Sequence, residues 1–177
     1  TGRRPARSSR NDKGTTFMWQ DALAEFQNTF SVVPVGAAMA RLLTAVVLGG
    51  LIGIEREWRH KPAGLRIHIL VCVAACLFVI LGLEISQLDF GQDDQQRQDP
   101  LRMIEAVTAG VAFLAAGLIF TAKGQVKNVT TGASLWLAGA VGLGCGAGQM
   151  PLAALATGIV VSVIFLLRQL ERLWGTH

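Results

Sequence analysis

Five apolar segments alternate with shorter polar ones after residue 34 of the chain. They cover residues 35–54, 67–86, 103–120, 131–147 and 152 to about 170. At about 1.5 Å per residue, a helix of this length crosses the ~30 Å hydrocarbon core of a bilayer. The pattern therefore predicts an all-α protein, a polytopic bundle of about five transmembrane helices.

The last two segments lie within residues 128–167, a stretch of 40 residues without a charge. This is about twice the length that one crossing needs. Glycines 144, 146 and 148 are followed by Pro151, and such a cluster is typical of a turn. The sequence thus predicts a turn within residues 146–151 that separates spans four and five.

Residues 1–34 differ in character from the rest of the chain. Residues 1–17 are rich in arginine and lack an apolar stretch, which predicts a disordered leader or upstream read-through before a start at Met18. Residues 18–34 carry aromatic and aliphatic side chains at helical spacing, as in an interfacial helix on the outer face or a lead-in helix packed on the bundle. Residues 35–171 form the predicted membrane domain.

The net charge of +4 comes entirely from residues 1–17, because the remaining chain holds 11 basic and 11 acidic residues. The charge balance therefore gives no indication of nucleic-acid binding. Basic residues concentrate in segments 55–66 and 121–130 and after residue 167, whereas acidic residues concentrate in segment 89–99. The positive-inside rule then predicts an outer N-terminus and a cytoplasmic C-terminus.

Three ionisable residues lie within or near the predicted spans at similar depth: Arg41, Glu84 and Glu105. A charge inside the bilayer needs a partner, so we predict that Arg41 pairs with Glu84 or Glu105. Such a pair serves as an ion relay or a recognition point for another helix, or it is purely structural.

Small residues recur at four-residue spacing within the spans, which permits close approach of helices. These residues are Gly49 and Gly53, Ala112 and Ala116, and Ala140, Gly144 and Gly148. The pattern leaves two interpretations open, namely packing within the bundle and a homo-oligomer interface.

Motifs of catalysis and cofactor binding are absent from the sequence, which predicts a protein that is not an enzyme and has no cofactor. Cys72, Cys76 and Cys145 are read as small apolar packing residues. His60 and His68 do not share a helical face with each other, so we predict solvated loop histidines and no metal site.

Three blocks of the chain resemble the MgtC/SapB family of bacterial inner-membrane proteins. They are RLLTAVVLGGLIGIEREWRHKPAGLRIHILV at residues 41–71, DPLRMIEAVTAGVAFLAAGLIF at 99–120 and VKNVTTGASLWLAGAVGLGCGAG at 126–148. The chain departs from the family pattern at Ala112 and Ala115, where glycine is usual, at Glu105, and at Asn128, where glycine is also usual. Its end at His177 matches the short form of the family, without the C-terminal soluble domain of longer members.

The resemblance implies a non-enzymatic membrane protein connected with growth in low magnesium, virulence and acid adaptation. It also implies a membrane protein complex as the partner, such as the F-type ATP synthase. Carried over by position, the implied functional residues are Arg41, Glu55, Arg56, Ala63, Gly64, Leu65, Arg66, His68, Arg102, Thr130, Thr131, Ser134 and Trp136. Glu105 joins these candidates because of its position in the bilayer. The alternative is a small cation or solute transporter or channel subunit, favoured by the charges within the spans.

Most of these residues belong to the predicted cytoplasmic ends of spans one to four. We expect Glu55 to pair with Arg66 between helices, and Thr130 or Thr131 to cap the fourth helix. The resulting polar cap either holds the helix ends together or docks another membrane complex.

Overall fold

The computed structural model describes residues 20, 30–86, 100–122 and 125–173. The predicted leader, most of the predicted helix in residues 18–34, and the acidic segment 89–99 lie outside these residues. Five helices account for most of the described chain: α1 (Val35–Trp58), α2 (Leu65–Ile85), α3 (Pro100–Leu118), α4 (Val129–Gly146) and α5 (Met150–Leu173). All five are long and apolar enough to cross a membrane, as the hydrophobic pattern predicted. The predicted orientation stays a prediction.

Helix α1 continues four residues beyond the apolar run and ends at Trp58. Residues 55–58 therefore belong to the helix, beyond the predicted end of the span at residue 54. An ion pair between Glu55 and Arg59 joins positions i and i+4 and stabilises this last turn in helical form. The chain then reverses through His60, which has a positive φ of 50°.

The connection between α3 and α4 is a short antiparallel hairpin of β1 (Phe120–Ala122) and β2 (Gln125–Lys127). Asn128 follows it with φ 63°, in the left-handed region that glycine and asparagine tolerate best. Its side-chain amide donates a hydrogen bond of 3.1 Å to the carbonyl of Leu118 at the end of α3. Asparagine can therefore replace the glycine that is usual at position 128 in the MgtC/SapB pattern. Its side chain also provides a donor for the carbonyl of Leu118.

The turn between α4 and α5 lies at Ala147 and Gly148, as predicted. Gly148 has φ +78°, a backbone conformation that is strained for a residue with a side chain. The amide of Gln149 donates to the carbonyl of Gly144 over 2.8 Å, and Pro151 is only the second residue of α5. Proline is tolerated there because the first amides of a helix have no intrahelical acceptor.

Helix α4 is the centre of the bundle and contacts each of the other four helices. Gly49 and Gly53 bring α1 against α2: a Cβ on Gly49 would lie 2.8 Å from Cys72 Cβ, and one on Gly53 would lie 2.7 Å from Leu65 Cα. These two predicted packing positions are confirmed. On α4, Gly142 and Gly146 lie against the backbone of α2 at Cys72 and Cys76.

The packing surface of α3 is displaced from the predicted one. Ala112 and Ala116 are exposed, so they do not pack within the bundle, and the alternative of a homo-oligomer interface stays a prediction. Val111 and Ala115 are buried instead, and they lie next to Gly139 and Gly132 of α4 respectively. Since a helix turns by about 100° per residue, a one-residue displacement moves the contact to a different face.

The three small residues predicted on α4 and in the turn after it lie in three different environments. Gly144 lies next to α5, where a Cβ would be 3.4 Å from Ala153 Cβ. Ala140 is exposed, and Gly148 belongs to the turn. Cys72, Cys76 and Cys145 are free thiols buried in the core between α2 and α4, as their interpretation as packing residues predicted.

Candidate functional site

The charged end of the bundle is the end at which α1 finishes and α2 and α4 begin. Most of the predicted site residues belong to it, and the structure brings several of them into direct contact. Its members with a described ion pair, hydrogen bond or buried side chain include Glu55, Arg56, Glu57, Arg59, Ala63, Gly64, Leu65, His68, Thr131 and Ser134.

In the last turn of α1, Glu55 forms ion pairs with Arg56 and Arg59. The Nε atoms of Arg56 and Arg59 lie 3.1 and 2.8 Å from the two carboxylate oxygens of Glu55. The Arg56 side chain is 7% exposed, whereas that of Arg59 is 29% exposed. The Glu55 oxygens and Arg56 Nε approach closely without the alignment of a hydrogen bond, so these contacts act mainly through charge.

The predicted pair of Glu55 with Arg66 is wrong. Glu55 is neutralised within its own helix, because Arg56 and Arg59 lie closer to it along α1. Arg66 is exposed on the first turn of α2. The link between α1 and α2 at this end comes from a different acid, Glu57.

Glu57 caps the N-terminus of α2. Its Oε2 accepts the amide of Leu65 over 3.0 Å, which places a negative charge at the positive end of the helix. A Cβ on Gly64 would overlap the Glu57 carboxylate, so the cap requires glycine at this position. Sequence reasoning missed this role of Glu57, because the acid and the amide it binds are eight positions apart in the sequence.

His68 is fully buried and connects α2 to α4. Its Nδ1 lies 2.8 Å from the carbonyl oxygen of Gly64, and its Nε2 lies 3.0 Å from Ser134 Oγ. Because a carbonyl oxygen only accepts, Nδ1 carries a proton in this arrangement. The prediction of a solvated loop histidine is wrong, since α2 begins at Leu65 and turns this ring into the bundle.

Ser134 continues the connection within α4, because its Oγ also lies 2.8 Å from the carbonyl oxygen of Thr131. With His68 neutral and protonated at Nδ1, the single hydroxyl proton of Ser134 is donated either to Nε2 of His68 or to this carbonyl. Thr131 is itself fully buried, and its hydroxyl has no hydrogen-bond partner among the described residues. The predicted threonine cap of α4 is therefore wrong. Asn128 occupies the N-cap position, although its side chain binds Leu118 and leaves the amides of α4 uncapped.

Two predicted residues of this region face outward. Thr130 lies exposed in the first turn of α4, and the Trp136 side chain is 54% exposed two turns along the helix. Neither takes part in the contacts described above among residues 55–68 and 131–134.

Arg41 lies at the opposite end of the bundle and caps the C-terminus of α4. Its Nη1 donates to the carbonyl of Gly146 over 2.7 Å. Carbonyls at a helix C-terminus carry partial negative charge and attract a guanidinium. The predicted pairs of Arg41 with Glu84 or Glu105 are therefore wrong, because backbone groups take the place of the expected carboxylate.

Glu84 binds the segment that leads into α1. Its carboxylate accepts the amides of Ser31, Val32 and Val33, the last over 2.8 Å, and the Ser31 hydroxyl over 2.9 Å. Glu105 and Arg102 lie exposed on α3 and do not join either cluster. Sequence reasoning did not find the backbone partners of Arg41 and Glu84.

We expect Ser134→Ala to destabilise the bundle by about 1–3 kcal/mol, because it leaves the buried Nε2 of His68 without its hydrogen-bond partner. Thermal unfolding in detergent micelles measures the effect. Ser162→Ala on the exposed surface of α5 is the matched control and should change stability by less than about 0.5 kcal/mol. Equal effects of the two substitutions would contradict a specific role for the His68–Ser134 contact.

The comparisons with known proteins agree on one family. The model of the MgtC family matches residues 42–173. Protein MgtC of Brucella abortus (strain 2308) is 42% identical over 137 residues, which cover 77% of this chain and 54% of that protein. Protein MgtC of Salmonella typhimurium (strain LT2) is 36% identical over 128 residues, which cover 72% of this chain and 51% of that protein. The chain thus spans about half the length of these relatives, and no solved structure matches it.

Proposed function

This multi-pass membrane protein belongs to the MgtC family, and we propose that it is a non-enzymatic regulator in the bacterial inner membrane that binds and modulates a larger membrane complex. The family resemblance makes the F-type ATP synthase the first partner to test. It also suggests the setting, which is adaptation to low magnesium or acid stress.

The observation that carries this proposal is that the charged end has two kinds of residue. Some are buried and hold the helices together, and others are exposed on α4. The buried polar groups of His68 and Ser134 bind each other and the backbone, so they hold helices together. Thr130 and Trp136 lie on the exposed side of α4 with Ala133 between them and Ala140 beyond. These spacings of three and four residues place them along one face of the helix.

Such a face suits a partner helix. Alanine permits close approach of a second backbone, and a tryptophan is the kind of side chain that anchors protein interfaces. Because α4 contacts all the other helices, a protein bound here would contact the central element of the bundle. The structural contacts of the charged end would then keep this face rigid.

The test is affinity capture from crosslinked native membranes, with the captured proteins identified by mass spectrometry. We expect subunits of the ATP synthase, and a roughly tenfold lower yield with Trp136→Ala, because interface anchors typically contribute more than 1 kcal/mol. Trp58→Ala is the matched control, since Trp58 is 74% exposed at the same end of the bundle. A loss of yield that is equal for both variants would contradict a docking face on α4.

Reconstitution of the purified protein into liposomes tests the transporter alternative. A regulator is expected to produce no specific ion or solute flux by itself. Specific flux that disappears in Glu105→Gln would overturn the regulatory role as a complete account.

A further inference from the structure

An apolar groove of about 650 Å³ runs between α2 and α3. Its walls are formed by Leu70, Ala74 and Phe78 of α2 and by Ala106, Gly110 and Leu114 of α3. These two helices contact each other far less than either contacts α4. The groove therefore opens on the side of the bundle away from α4, where Leu70, Phe78 and Leu114 are 67%, 59% and 54% exposed.

Met103 of α3 lies at one end of the groove, and Leu70 of α2 lies at the other. Met103 lies over Gly82, so closely that a Cβ on Gly82 would overlap its thioether and methyl group. From Gly82 back to Leu70 the distance along α2 is about 18 Å, since 12 residues rise about 1.5 Å each. One leaflet of the hydrocarbon core is about 15 Å thick, half of the whole. The groove is therefore longer than one leaflet, and it ends at Gly82, one turn before the end of α2 at Ile85.

A cationic side chain, that of Arg66, lies beyond the Leu70 end of the groove. Arg66 precedes Leu70 by four residues, so it lies on the same face of α2, one turn beyond the groove. It is exposed, and no ion pair to it is present within residues 30–86, 100–122 and 125–173. A guanidinium at this position can bind a phosphate through two parallel hydrogen bonds.

We propose that this groove binds one acyl chain of an anionic phospholipid, with the headgroup phosphate on Arg66. The apolar walls match the hydrocarbon chain, and Arg66 matches the charge of the headgroup. A partner helix is a poorer occupant, because a transmembrane helix is about 10–12 Å wide, whereas a volume of about 650 Å³ over a length of about 18 Å corresponds to a mean cross-section of only about 36 Å².

Native mass spectrometry of the full chain in detergent tests the proposal, with phosphatidylglycerol and phosphatidylcholine of identical acyl chains as probes. We expect one bound phosphatidylglycerol, preferred over phosphatidylcholine by roughly fivefold, the effect of one basic residue on an anionic lipid. Arg66→Gln is expected to abolish the preference. Arg102→Gln, which removes an exposed arginine from the start of α3, is expected to retain it.

Gly110→Leu is expected to reduce the binding of both lipids, because its side chain enters the groove. A Cβ on Gly110 meets nothing within 4 Å, and the same holds for Gly117, which does not line the groove. Gly117→Leu is therefore a matched control that should bind lipid as the unaltered protein does. Ala74→Leu fills the groove from α2 and serves as the second variant if Gly110→Leu does not fold.

Three results would overturn the proposal: equal lipid binding by Gly110→Leu and Gly117→Leu, an unchanged headgroup preference in Arg66→Gln, or a lipid-free dimer that Gly110→Leu dissociates. The last result would assign the groove to a second copy of the chain. Helical circular dichroism confirms that each variant is folded before lipid is added.

Discussion

Arg56→Gln is expected to lower the free energy of unfolding by about 3–5 kcal/mol, the usual cost of breaking a buried ion pair. The substitution removes the positive charge 3.1 Å from the carboxylate of Glu55, and the Arg56 side chain is only 7% exposed. Glu55 would then keep a single cationic neighbour, Arg59. Denaturant titration in mixed micelles, followed by circular dichroism, measures the loss.

Arg59→Gln is the matched control, because it removes the same charge from the same carboxylate. The Arg59 side chain is 29% exposed, and exposed pairs at i and i+4 contribute about 0.3–0.5 kcal/mol. We therefore expect the two substitutions to differ several-fold in their effect on stability. If Arg59→Gln were as harmful as Arg56→Gln, burial would not be the reason for the importance of this charge.

Gly142→Leu is expected to destabilise the bundle by about 3 kcal/mol or more, the upper end of the usual cost of overpacking. The first added carbon would overlap the carbonyl oxygen of Cys72 and would lie 2.8 Å from Ala75 Cβ. The backbone of α2 cannot move aside as a flexible side chain can, so α2 and α4 would separate. Thermal unfolding and the yield of folded monomer in detergent measure the result.

The control for this substitution is Gly158→Leu on α5, where a Cβ meets nothing within 4 Å. We expect that variant to match or slightly exceed the stability of the unaltered protein, since leucine favours a helix more than glycine does. An equally stable Gly142→Leu would contradict the close contact of α2 with α4.

The small residues of the helices show how much of the packing can be predicted from the sequence alone. Gly49 and Gly53 were recognisable from their four-residue spacing on one apolar helix. The same reasoning selected Ala112 and Ala116, which face outward, and passed over Gly142, which contacts the α2 backbone. Spacing identifies a face of small residues on one helix, but the neighbouring helix decides which face is used.

The candidate site shows the same division. The motif blocks indicated Glu55, Arg56, Gly64, His68, Thr131 and Ser134 as a group, and the structure places them at one end of the bundle. Their partners were predicted incorrectly: Glu55 pairs within α1, and Arg41 binds a carbonyl. Sequence reasoning sought a carboxylate for Arg41, whereas Arg41 and Glu84 bind backbone groups at or near helix ends.

By itself the sequence determined the number of spans, the turn at Gly148 and the family, because each depends on local composition or on a motif of contiguous residues. Only the tertiary structure decided that His68 is buried against Ser134, that Glu57 caps α2, and that a groove separates α2 from α3. These features join residues from different helices. Their existence depends on how far apart the helices pack and on which faces meet, and neither quantity is encoded in the period of any single helix.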